Sequence, residues 1–243
     1  MNNEKIVCSM KEVNVAYHDM VVLRDINVDI PAGVIMGIIG PNGAGKSTLI
    51  KAALGIVPRL TGKVSFFDQP LDKVRKSVGY MPQAASVDWD FPATVADVVK
   101  MGTYASLGWL RRPGRKQKEA VEQALEFCGI ADLAHRQIGQ LSGGQRQRTF
   151  LARTLAQNPD LCFMDEPFAG VDARSEEAIR DVLLRMQSEG KTIVVVHHDL
   201  TTVDKFCSDL LILNKSVLAW GPLKDTLKQD VIDKAYSVVK LPE

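Results

Sequence analysis

The sequence predicts an α/β fold. Its parts are a core of buried strands alternating with helices, a strand-rich N-terminal section, and a helical lobe inserted into the core. Three observations carry this. Near period-2 alternation with β-branched residues dominates residues 11–17 and 21–30. Short apolar runs at residues 34–39, 161–164 and 192–196 have the length of strands covered on both faces. From about residue 82 to 158 the pattern turns helical, before strands and helices alternate again.

The elements follow in order. Pro31, Ala32 and Gly33 form a turn between the second strand and the run 34–39. A glycine-rich stretch follows that run directly, and residues 46–54 read as a helix. Residues 63–67 and 77–81 are further strands. Thr94 and Asp97 have the spacing of a capping box ahead of an apolar stretch. Residues 116–127 are amphipathic and stop at Gly129. Residues 143–157 form another helix. Strands at 161–164, 192–196 and 210–213 then alternate with helices at 173–188 and 200–206, and a short amphipathic helix follows Pro222. The expected lobes are 1–82 with 159–243 as the α/β core, and 83–158 as the helical subdomain of one domain.

A chain of 243 residues that is 46% hydrophobic can bury a full core. A net charge of +1 excludes a general nucleic-acid binder. No apolar run approaches the roughly 18 to 20 residues that span a bilayer. The start, Met1, Asn2, Asn3, Glu4, Lys5, lacks the blocks of a signal peptide. The expected location is therefore the cytoplasm, against a membrane only through a partner. Cys8, Cys128, Cys162 and Cys207 are far apart and suggest packed thiols rather than a disulfide frame or zinc site.

Gly40, Pro41, Asn42, Gly43, Ala44, Gly45, Lys46 and Ser47, followed by Thr48, fit a phosphate-binding loop in full. Glycines let backbone N–H groups turn inward onto phosphate oxygens, and the helix beginning near Lys46 adds its positive end. Lys46 places a cation on the β- and γ-phosphates, and the Ser47 hydroxyl can ligate Mg²⁺. The second half of such a site is the apolar run 161–164 followed by Asp165 and Glu166. Asp165 would hold Mg²⁺ and Glu166 would orient and polarise the attacking water.

Leu141, Ser142, Gly143, Gly144 and Gln145 stand between these two halves. With them the chain resembles the ATP-binding cassette (ABC) ATPases over nearly its whole length. The resemblance implies a phosphate-loop NTPase core of ABC type, with an N-terminal antiparallel β subdomain and the inserted helical lobe. It also implies roles. Tyr17 would stack on adenine. Gln83 would contact Mg²⁺ and the attacking water while sensing a transmembrane partner. His198 would contact the γ-phosphate, and Asp172 the opposite subunit. Ser142 can cap its helix, leaving the Gly143 and Gly144 amides as a second anion site. In the family that site faces ATP on the other copy, so two ATP molecules join a homodimer. Ala169, Gly170 and Val171 before Asp172, and His197 before His198, depart from the commonest family pattern. The adjacent His197 competes for the assignment of the switch histidine, and the spacing to Asp199 selects His198.

The stretch from Gln83 to Val99, with Asp88, Trp89, Asp90, Phe91 and Pro92 in it, looks like cassettes of bacterial manganese, zinc and iron importers. Trp89 and Phe91 are either apolar anchors for a permease helix or core residues of the helical lobe. The likeness implies an ATPase subunit of an importer for divalent metal ions, manganese first and zinc close behind. Its partners would be integral membrane permease subunits and an extracytoplasmic metal-binding protein. The alternatives are a cassette for iron chelate or haem, or a soluble ABC ATPase outside transport. The basic run Arg111, Arg112, Arg115, Lys116, Lys118 reads as a solvated turn, with lipid headgroups as the alternative.

Overall fold

The computed structural model describes residues 5–18, 20–83, 89–107 and 113–236, the side chains of Ala105 and Ser106 excepted. Residues 1–4 of the N-terminus, 84–88 of the metal-importer likeness (Asp88 among them), and Arg111 and Arg112 of the basic run lie outside the described residues. The chain divides into two compact units: Met1–Lys73 with Val194–Glu243, and Val74–Ile193.

In the first unit β1 (Ile6–Tyr17) pairs antiparallel with β2 (Met20–Pro31) on one side and β4 (Thr61–Phe66) on the other. The apolar phase of β1 changes midway. Cys8 and Met10 face inward, then Val13 and Val15 do. A register shift between Met10 and Val13 makes the change, with Glu12 at φ 53°. The amide freed at Glu12 donates to Asn27 Oδ1 at 3.0 Å, so the bulge leaves no orphan donor there.

The fully buried β3 (Ile35–Ile39) pairs in parallel with β8 (Asp209–Asn214). β8 turns at Lys215, φ 60°, into antiparallel β9 (Ser216–Pro222). The strand order is β7-β3-β8-β9, where β7 (Thr192–Val196) begins at the division between the units. α1 (Lys46–Ala53) follows β3 through the glycine loop. α2 (Leu71–Val74) lies at the first boundary.

In the second unit β5 (Val78–Met81) pairs in parallel with β6 (Leu161–Asp165), Val78 opposite Leu161 and Met81 opposite Met164. Its helices are α3 (Val95–Met101), α4 (Tyr104–Leu107), α5 (Arg115–Phe127), α6 (Gly143–Ala156) and α7 (Ala173–Ser188). The capping box of α3 forms, with Thr94 Oγ1 accepting from the Asp97 amide. α3 and α5 both pack on α6. α7 buries Ile179, Val182, Leu183 and Met186, the i, i+3, i+4, i+7 stripe of an amphipathic helix. Gln157, just past α6, donates through Nε2 to the carbonyls of Arg75, Lys76 and Val78. The first unit ends in α8 (Leu223–Thr226) and α9 (Gln229–Tyr236), the latter tied to β8 by Asn214 Nδ2 donating to Ala235 O at 2.9 Å.

Two elements differ from expectation. Residues 200–206 are not a helix but a turn with one 3₁₀ turn at Val203–Lys205. The Asp199 carboxylate captures the Thr201 amide (2.8 Å) and hydroxyl (2.7 Å), and a local turn of that kind competes with helix. The strand β9 was not expected, because Asn214 and Lys215 replace the glycine that usually marks a hairpin.

Candidate nucleotide site

In the first unit the loop 40–45 joins a buried strand to a helix. Gly45 is the N-cap of α1 at φ 94°, and no side chain caps that helix. A β-carbon at Gly45 would stand 2.6 Å from Leu23 Cδ2, so both the backbone angle and the space require glycine. Lys46 is 7% exposed. Its Nζ donates to Gly40 O at 2.7 Å and Pro41 O at 3.0 Å. The loop thus folds around a buried ammonium at the start of a helix, where backbone amides and the helix dipole favour an anion. Ser47 and Thr48 follow on the first turn of α1, and Asn42 and Gly43 are exposed. Tyr17 ends β1 and is 41% exposed. After β7, His197 points inward and is buried while His198 is exposed.

The second unit brings Gln83 and Glu166 together. Each lies two residues past a register pair, Met81 opposite Met164, so parallel pairing carries both to one sheet edge. Gln83 Nε2 donates to Glu166 Oε2 at 2.8 Å. Glu166 has φ 53°, a left-handed backbone uncommon for a non-glycine residue and concentrated at functional sites. Asp165 is 1% exposed at the end of β6. Nearby Tyr80 has its hydroxyl pushed up to about 12, first by burial and then by the Asp165 charge. Tyr80 is a neighbour of the acidic pair that sequence spacing does not reveal.

The third set surrounds the start of α6. Ser142 Oγ accepts from the Gln145 amide at 3.3 Å, and Gln145 Oε1 accepts from the Ser142 amide at 3.0 Å. This reciprocal cap contributes about 1 kcal/mol and fixes where the glycine amides point. Asp172 caps α7 in its own chain, accepting from the Ser175 amide and hydroxyl, each at 3.0 Å. The Ser175 amide holds the Asp172 carboxyl below the ordinary carboxylate range. The two helix starts touch. A β-carbon on Gly143 would stand 2.6 Å from Gly170 O, and one on Gly144 would collide with Ser175 Oγ. Gln147 Nε2 donates to Ala169 O at 3.3 Å across the same seam. Ser175 could have been found from its spacing, since Asp-x-x-Ser is a cap pattern; Gln147 carries no such signal.

Gly144→Ala is expected to cost about 1–3 kcal/mol by overpacking. Gly114→Ala, where the nearest atom to a new β-carbon is 3.6 Å away, serves as its control. Urea unfolding of both variants checks this; equal stability would remove the seam from the account.

Trp89 is half-buried, its ring edge-on to Phe150 at 5.1 Å with the Arg146 guanidinium 4.8 Å from its centroid. Phe91 is 55% exposed. Of the two residues considered as partner anchors, Phe91 is the one left open to a partner, and Trp89 belongs to the packing around α6.

The profile of the ABC transporter family matches residues 23–169. The chain belongs to the ABC transporter family. It is an ABC-type ATPase, and the loop at 40–48 and the acidic strand end at 165–166 lie within the matched span. Relatives align over most of it. The zinc transport system ATP-binding protein TroB of Treponema pallidum is 50% identical, over 93% of this chain and 85% of TroB. The manganese transport system ATP-binding protein MntB of Bacillus subtilis is 49% identical, over 93% of this chain and 91% of MntB. Among solved structures, an inward-facing metal-chelate type ABC transporter matches with TM-score 0.84 and 27% identity, covering 96% of this chain and 89% of that one. The cbiO1 subunit of the Clostridium perfringens cbiONQ complex matches with TM-score 0.80 and 30% identity, over 95% and 94%. Among the described residues of this ABC cassette no helix is long and apolar enough to cross a membrane.

Proposed function

We propose that this cassette is the ATP-hydrolysing subunit of an importer for a divalent transition-metal ion, manganese or zinc. The observation that carries the proposal is the pair of near-50% identities to TroB and MntB, each over 93% of the chain. Two copies would pair on the cytoplasmic face of the membrane beneath separate permease subunits, with an extracytoplasmic protein delivering the ion. The α/β core would span 1–82 and 159–243, and the helical subdomain 83–158. Phe91, exposed on the second unit, supports a permease-facing role for the start of the helical subdomain.

ATP is the substrate. The amides of Gly40, Pro41, Asn42, Gly43, Ala44 and Gly45 would hold its phosphates, with Lys46 as the fixed cation and Tyr17 against the base. The Ser47 hydroxyl of the first unit, and the Asp165 carboxylate and Gln83 amide oxygen of the second, are each oxygen donors of the kind that would hold a hard cation such as Mg²⁺. That ion neutralises phosphate charge when bound with the nucleotide. Glu166 takes the proton of the attacking water, oriented through its bond from Gln83. His198 reaches the γ-phosphate. Ser142, Gly143, Gly144 and Gln145 serve the nucleotide of the other copy, with Asp172 beside them. Binding that favours the closed pair over the open pair is what couples ATP to transport.

Uptake in a deletion strain, assayed separately for manganese, zinc and iron, tests the proposal. Loss of manganese or zinc uptake, restored by the gene, is expected. Loss of iron-chelate uptake alone, or of none, would overturn it.

A further inference from the structure

We propose that His197 is a positioning residue that fixes the backbone presenting His198, through a hydrogen-bonded tie to Thr202 and Asp199. This rests on the role given above to His198. The amide of His197 donates to Ile38 O at 3.0 Å, one residue past the end of β7. The sheet pairing is thereby prolonged, and it turns the His197 ring inward, 3% exposed, while His198 faces out. The buried ring stands edge-on to Phe206 with centroids 5.3 Å apart. Its Nε2 lies 2.8 Å from Thr202 Oγ1. Thr202 Oγ1 in turn lies 3.2 Å from Asp199 Oδ2 and 3.4 Å from Asp199 O. Asp199 Oδ1 accepts from the amide and hydroxyl of Thr201.

His198 therefore sits between two anchored neighbours. Its backbone cannot turn without breaking the 197–202 tie or the 199–201 turn. Burial, with the His198 charge next, lowers the His197 pKa to about 4, so the ring is neutral near pH 7. The hydrogen bonds of Thr201 keep Asp199 ionised. Thr202 Oγ1 thus links Nε2 of the neutral His197 ring to the Asp199 carboxylate through hydrogen bonds. A leucine could fill the same space against Phe206 but could not make this tie. That difference separates a positioning role from ordinary core packing.

ATPase kinetics of the purified full-length chain test the inference, with Mg-ATP as the probe. His197→Leu and Thr202→Val are each expected to lower kcat about ten- to a hundredfold, as a displaced catalytic group does, with KM for ATP within about threefold. The double variant should be no slower than the worse single variant, because both remove one link. Thr202→Ser should keep near wild-type kcat. His198→Ala is the reference for the parent reading. If His198→Ala retains wild-type turnover, the role of His198 fails, whatever His197 does. If His198→Ala is inactive while folded His197→Leu or Thr202→Val turns over as wild type, the positioning role is overturned. Equal kcat loss in Thr202→Ser and Thr202→Val also overturns it.

Discussion

Glu166→Gln turns ATP over at least about a hundredfold more slowly than the wild type while binding it as well. The substitution keeps the size of the side chain and leaves an oxygen to accept from Gln83 Nε2, now at 2.8 Å from Glu166 Oε2. What it removes is the proton acceptor. The strained backbone at this position, φ 53°, places that acceptor just beyond the buried end of β6, and nothing in the substitution relaxes it. Single-turnover hydrolysis together with equilibrium binding of labelled ATP separates the two effects. Wild-type turnover in the variant would take Glu166 out of the chemistry.

Lys46→Ala loses ATP affinity and metal uptake together. The ammonium is buried and already fixed by the carbonyls of Gly40 and Pro41, so it meets a phosphate without first being ordered. A charge-assisted hydrogen bond contributes about 1.5–3 kcal/mol, which corresponds to roughly a ten- to hundredfold rise in Kd for ATP. Titration with a fluorescent ATP analogue and metal uptake in the same strain check both halves. Unchanged uptake with a folded variant would contradict the assignment of the loop.

Much of this was legible before the fold was known, for reasons that differ by element. α7 spans the expected residues 173–188, where its apolar stripe of Ile179, Val182, Leu183 and Met186 is local to the sequence. The phosphate loop could be read because its glycines answer a local geometric demand. The capping box at Ser142 and Gln145 is equally local. What sequence could not reveal depends on register and long-range approach. Gln83 meets Glu166 only because β5 and β6 pair in parallel with Met81 opposite Met164. The seam between Gly144 and Ser175 depends on how α6 and α7 start against each other. Residues 200–206 misled because Asp199 bonds its neighbours locally and overrides helical periodicity. Spacing to Asp199 separates His198 from His197, but the buried place of His197 and its Thr202 contact carry no sequence signal.

The central claim is that each ATP is held by the 40–48 loop of one protomer and residues 142–145 of its partner. Mixing two defective chains tests it most directly, in a Glu166→Gln background so that bound nucleotide is retained. One chain carries Lys46→Ala. The other carries Ser142→Asp, which preserves a helix cap but sets a carboxylate against the phosphates. A pair made of one of each has one composite site with both halves intact and one with both halves defective. The account predicts about one ATP trapped per mixed pair and essentially none by either chain alone. If mixing traps no more than the two chains do separately, while the Glu166→Gln parent traps ATP, the two halves of the site belong to the same chain and the claim is wrong.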